Sequence, residues 1–333
     1  MKKIIIDVFG ADTPDSLIKG AARATLENED VKILLPGVPQ VIEDVLCECE
    51  YDPRRIEILP AEQVITNDDD PVNAVFQKRR SSVVTAAKYF AENDDCIGFA
   101  SAGNTGALLA ASTAYVGRLD GIERPSLCTF LPSSKDRFVC MLDCGANVDC
   151  KPQQMIQFAL MGSALVECCV GVKDPTVAIV SNGTESRKGN SFTREVYSLL
   201  EKMPINFVGN MEARDALSGK YDVMVCDGFV GNVLLKSIEG AGMFTASVML
   251  KHLKANMPEN TDPAFLKKAL GAAMAEMDFS SRGGAVLMGL KKTVMKIHGN
   301  SNERTVPNVV KQLLDISAGG FIDRTKELLR AAK

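Results

Sequence analysis

The chain has 333 residues, 46% of them hydrophobic and 24% charged, with a formal net charge of -4. That length sustains one large α/β core or two closely packed lobes, and the mildly acidic balance argues against general nucleic-acid binding. The ten cysteines contain no C-x-x-C pair and fit neither zinc-ribbon nor iron–sulfur spacing, so no metal is expected. Most sit in apolar runs such as "FVCML" and "DVMVCDG", where a free thiol behaves as a small hydrophobe in a reducing setting. The start, "MKKIIIDVFG", is too short in apolar residues for a signal peptide, and no run approaches the ~20 of a membrane-spanning helix. A cytoplasmic protein is expected.

In chain order, short β-branched runs recur with helical stretches between them: "KIIIDV", "VKILLP", "RIEILP", "CIGFAS", "SLCTFL", "FVCMLD", "TVAIVS", "INFVG", "DVMVCD" and "TVMKIHG". Continuous apolar strands alternating with helices predict a mainly parallel sheet covered on both faces. Six runs end in Asp7, Ser101, Asp143, Ser181, Gly209 and Asp227. Helix capping accounts for such endings singly; together they predict one crevice beyond the carboxyl ends of the strands.

Residues 241–279 break the rhythm and read as a projecting pair of helices joined around "MPENTDP" within a single domain spanning 1–333. Leu266, Ala269, Leu270, Ala273 and Met277 form an apolar stripe at helical spacing, suited to core, a dimer contact, a membrane surface or an acyl chain. The C-terminal stretch reads as closing helices broken at Gly319 and Gly320.

Five strand-to-helix junctions carry candidate chemistry. "SAGNTGALLA" places Ser101, Gly103, Asn104 and Thr105 where backbone N–H groups at a helix start attract anions. "LDCGANVDCKPQQ" sets Asp143, Asn147 and Lys151 before a helix opened by Pro152. "SNGTESRKGN" supplies Asn182, Gly183, Thr184, Lys188 and Asn190, a mixture of cations and hydrogen-bonding groups suited to phosphate oxygens. "FVGNMEARDAL" and "CDGFVGNVLLKSIEG" add Asn210, Glu212, Arg214, Asp227, Asn232 and Lys236. Late in the chain "KIHGNS" contributes His298, one of two histidines; each junction also admits a plain capping or structural reading.

These motifs, with "GIERPSL", resemble the acyl-ACP:phosphate acyltransferases of bacterial phospholipid synthesis, the PlsX family, from Asp7 to about residue 313. The resemblance implies a homodimeric, Rossmann-like α/β/α enzyme that moves a fatty acyl group from acyl carrier protein to inorganic phosphate. It also implies peripheral membrane contact, here through 241–279, and no nicotinamide or other cofactor. Three positions depart from the family's pattern: Ala11 stands for a glycine, Thr13 for a histidine and Phe76 for an arginine.

The implied chemistry needs no covalent intermediate, because phosphate is the nucleophile and a thiol of pKa ~8.5 leaves readily. Lys188, Asn182, Thr184 and Asn190 are the expected phosphate holders. Lys151, Asn147 or His298 would face the oxyanion or the sulfur, with Asp143 and Asp227 orienting them. A dehydrogenase of the isopropylmalate type is the enzyme alternative, although no G-x-G-x-x-G follows the first strand. A non-catalytic scaffold for carrier protein or membrane is the other.

Overall fold

The structure, a computed structural model, describes residues 1–135, 137–256, 264, 267, 268, 271, 272, 283–299 and 301–332. Eleven strands form one sheet: β1 (Lys2–Asp7), β2 (Val31–Gly37), β3 (Ile56–Pro60), β4 (Cys96–Ser101), β5 (Ser126–Pro132), β6 (Phe138–Leu142), β7 (Thr176–Ser181), β8 (Asn206–Glu212), β9 (Val223–Val225), β10 (Ala285–Met288) and β11 (Val294–Lys296). Their order across the sheet is β3-β2-β1-β4-β11-β10-β5-β6-β9-β7-β8. All ten sequence-predicted strands are present. The eleventh, β10, is a four-residue run too short to stand out by periodicity.

Seven strand pairings are parallel, and the three made by β10 with β11, β10 with β5 and β5 with β6 are antiparallel. Following the directions through those pairs, β1, β2, β3, β4, β11 and β5 run one way, while β6, β7, β8, β9 and β10 run the other. The expected single crevice is therefore divided. Asp7 and Ser101 end their strands at one edge; Asp143, Ser181 and Asp227 lie at the opposite edge. Gly209 is no ending at all: it lies inside β8, with φ +97, at a register shift between Val177 and Ala178 of β7, the setting of a bulge that favours glycine.

Helices cover both faces because strand neighbours alternate sides. Val177, Ile179, Val223 and Val225 pack with Phe158 and Leu165 of α6 (Pro152–Leu165). Ala178, Met141 and Met224 face the other way, against Leu234, Leu235 and Ile238 of α8 (Gly228–Ala255). The chain closes with helices Thr305–Gly319 and Phe321–Ala331, divided at Gly320, whose φ is +70.

α8 has 28 residues, about 42 Å at 1.5 Å per residue, and is long and apolar enough to cross a membrane. The sequence reading found no such run and began its helical pair at residue 241; the helix instead starts at Gly228, and within it Lys236 and Glu239 pair at 2.7 Å. The base of α8 is built into the sheet layer through Leu234, Leu235 and Ile238. Beyond it Met243 and Phe244 are 69% and 70% exposed. The stripe from Leu266 to Met277 lies outside the described residues.

Candidate functional site

The edge where β6, β9, β7 and β8 end gathers four of the five predicted junctions. The helix after β6 lies on one face and the helix after β9 on the other, so the neighbouring ends of β6, β9 and β7 form a topological switch point, where loops part and leave a crevice. Its floor is the 143–147 turn. The buried carboxylate of Asp143 accepts the backbone N–H groups of Leu127, Gly145 and Ala146 on Oδ1, and the backbone and side-chain N–H of Asn147 on Oδ2, at 2.7–3.1 Å. Burial nevertheless pushes its pKa up, against the pull of those donors. Asn147 also donates to the Pro125 carbonyl at 2.8 Å. Asp143 and Asn147 are thus fully engaged in shaping backbone.

The root of α8 rests on this turn. Gly228 N–H donates to the Asn147 carbonyl at 2.7 Å, and an added Cβ on Gly231 would lie 1.9 Å from the Asp143 carbonyl oxygen. Only glycine admits that approach. Asp227 caps α8 by accepting Val230 N–H at 2.8 Å, and Lys151 is an exposed N-terminal neighbour of α6.

The 182–190 loop holds its shape by itself. Asn182 accepts Gly189 N–H at 2.8 Å, Asn190 caps α7 (Ser191–Leu200) through Thr193 N–H at 2.8 Å, and Asn210 Nδ2 donates to the Glu185 carbonyl at 2.7 Å. Gly183 is buried under the Lys188 stem, while Thr184, Arg187 and Lys188 are exposed. Asn210 Oδ1 and Ser181 Oγ, both closed to solvent, have no hydrogen-bond partner among the described residues. Glu212 is half-buried and pairs with exposed Arg214.

A cavity of about 900 Å³ runs from this edge across the sheet centre. Cys144, Asn232 and Lys236 line one end, Leu127 and Thr129 of β5 the middle, and Gly103, Thr105, Lys296 and His298 the other. At that far end Ser101 lies beneath the surface, and Asn104 caps α5 (Thr105–Ala111) through Ala107 N–H at 3.0 Å. Of the predicted residues, Gly103, Thr105, Asn232, Lys236 and His298 therefore share one cavity. Lys151 and the 182–190 loop do not line it.

Sequence reasoning passed over Lys296. Its ammonium donates to the carbonyls of Ala102, at 3.2 Å, and Ile297, tying the end of β11 to that of β4. Burial lowers its pKa to about 8, opposed by the carboxylates of Asp7 and Asp12. Asp7, fully buried, is raised to about 6 by desolvation, opposed by hydrogen bonds from Ser101 and Ser82. A lysine on the last residue of an otherwise apolar strand was the available signal.

A mixed eleven-stranded sheet with furnished strand ends and helices on both faces defines a class of α/β proteins, and its geometry is found in solved structures. The fold is similar to a phosphotransacetylase from Streptococcus pyogenes, with TM-score 0.63 and 16% identity over 97% of this chain and 94% of that one. It is likewise similar to a branched-chain phosphotransacylase from Enterococcus faecalis, with TM-score 0.58 and 12% identity over 96% and 100% of the two chains. At such identities the likeness is one of fold. The chain belongs to the fatty acid synthesis protein family, whose model matches residues 2–324. Its relatives include the phosphate acyltransferase of Brevibacillus brevis, 44% identical over 323 residues covering 97% of this chain and 94% of the relative. That of Bacillus cytotoxicus is 43% identical over 319 residues, covering 95% and 94%.

Proposed function

We propose that this chain is a phosphate acyltransferase of phospholipid synthesis, moving a fatty acyl group from the thioester of acyl carrier protein to inorganic phosphate. The observation that carries the reading is the gathering of four polar strand ends, Asp143–Lys151, Ser181–Asn190, Asn210–Arg214 and Asp227–Lys236, around one switch point that opens into a large cavity. Membership of the family supports it.

In the reaction a phosphate oxygen bonds to the carbonyl carbon, the C–S bond breaks, and the proton lost by hydrogen phosphate ends on the sulfur. Lys188 and Thr184 hold the phosphate, in a loop kept in shape by Asn182, Asn190 and Asn210. Asn232 and Lys236 meet the thioester where the cavity begins, and Lys236 stabilises the developing oxyanion. Asp143, Asn147 and Asp227 act through the backbone they hold, as positioning residues. Lys151 adds positive charge at the edge where β6 ends, and no cofactor takes part.

Two copies associate through the exposed apolar stripe of α8, in the cytoplasm and beside the membrane that receives the product. The test mixes the protein with acylated carrier protein and phosphate, then traps acyl phosphate as the hydroxamate. Hydroxamate should form only with phosphate present; thiol release independent of phosphate would overturn the reading.

A further inference from the structure

The far end of the cavity is built differently from the 182–190 loop. There the exposed cations Arg187 and Lys188 suit an anion. At the far end Lys296 faces two carboxylates, those of Asp7 and Asp12, so the cluster carries no excess positive charge and gives a free anion little net attraction. It instead offers donors and acceptors side by side. Among the described residues, two of the three ammonium protons of Lys296 go to the carbonyls of Ala102 and Ile297, leaving one for a ligand carbonyl. The exposed carboxylate of Asp12, on the same cavity wall, can accept an amide N–H. Gly10 and Gly103 stand so close that an added Cβ on Gly10 would lie 3.2 Å from the Gly103 Cα, which draws the wall together around a slender chain.

Resting on the acyltransferase reading, we infer that this end, formed by Lys296, Asp12, Gly10 and Gly103, binds the amide-bearing pantetheine arm of the acyl donor. The carrier's thioester sits at the end of a long flexible arm containing amide groups in series, neutral and hydrogen-bonding along its length. The cavity is continuous past Leu127, Thr129 and Phe130 of β5, from Asn232 and Lys236 at one end to Lys296 at the other. The sulfur then lies at the α8 end, beside Asn232 and Lys236.

The experiment compares two small donors carrying the same acyl group, an acyl-pantetheine and an acyl-N-acetylcysteamine that lacks the outer part of the arm. The wild-type protein should prefer the longer donor in kcat/KM by about tenfold or more, the worth of one or two hydrogen bonds to charged groups. Lys296→Met and Asp12→Asn should each bring that ratio towards one. Because Lys296 also ties β4 to β11, the exposed Asp12 variant keeps the test independent of folding. An unchanged ratio in Asp12→Asn, with both donors slowed alike, would overturn the inference while leaving the acyltransferase reading intact. Failure of the wild-type protein to form acyl phosphate from acylated carrier protein would overturn both.

Discussion

Ser101 Oγ donates to Asp7 Oδ2 at 2.7 Å in a layer closed to solvent, and the same hydroxyl oxygen accepts Gly103 N–H at 3.1 Å. A buried carboxylate thereby sets the turn that lines the cavity. Its charge is costly there: folding raises its pKa from 3.8 to about 6, so the folded state holds the proton more tightly. Stability from this group is present below pH ~4 and lost as pH rises through ~6, a difference of about 3 kcal/mol. Asp7→Asn should remove that dependence. Urea unfolding of both proteins at pH 4.5 and 7.5 checks it, and parallel pH profiles would contradict the assignment.

Asp143 accepts five hydrogen bonds that hold the turn and the start of β5 together. Asp143→Ala should lower stability by about 3 kcal/mol, since several buried donors lose their partner, and should abolish turnover by releasing the α8 root. Denaturation midpoints and the hydroxamate assay measure the two effects; a stable, active variant would show the turn to be self-supporting.

Gly231 and Gly240 occupy the same helix with opposite expectations. At Gly231 an added methyl meets the Asp143 carbonyl at 1.9 Å, and Gly231→Ala should cost about 3 kcal/mol. At Gly240 nothing lies within 4 Å, and Gly240→Ala should stabilise by about 0.5–1 kcal/mol through helix propensity. Thermal melts of the pair test the seating of α8 directly.

Lys188 is exposed, and in the proposed reaction its charge serves phosphate. Lys188→Ala should raise the KM for phosphate about tenfold, with the KM for acylated carrier protein little changed. Steady-state kinetics with each substrate varied in turn decides it, and an unaltered phosphate KM would remove the loop from the phosphate site.

Met243 and Phe244 expose more than two thirds of their surface on the outer half of α8. Such an apolar stripe calls for a cover, and the proposed one is a second copy. Met243→Asp with Phe244→Asp should halve the mass seen in sedimentation equilibrium. Retention of the dimer with loss of binding to anionic phospholipid vesicles would instead make the stripe a membrane contact.

The strand runs, the closing helices and the polar residues after the strands were all legible, because apolar periodicity and turn chemistry are local properties of the chain. The endings of β6, β7 and β9 in particular led to the edge where Asp143, Ser181 and Asp227 lie. Lys296 escaped notice because its burial and its carboxylate neighbours Asp7 and Asp12 come from strands and loops remote in sequence. The unity of α8 escaped too: the junction after β9 and the helix read from residue 241 onward are one helix, Gly228–Ala255, whose root is fixed by its seating on the 143–147 turn.

By itself the sequence determined which segments become strands and helices and which side chains stand at their ends, since each follows from a few neighbouring residues. Only the tertiary structure decided how those ends are shared out. The antiparallel pairings of β10 and β5 reverse half of the sheet, so "SAGNTG" and "SNGTESRKGN" come to opposite edges, and the cavity links the first of them to Asn232 and Lys236 rather than to the second. Strand direction is settled by long-range hydrogen bonding and by the burial of both faces, neither of which is written within any one segment.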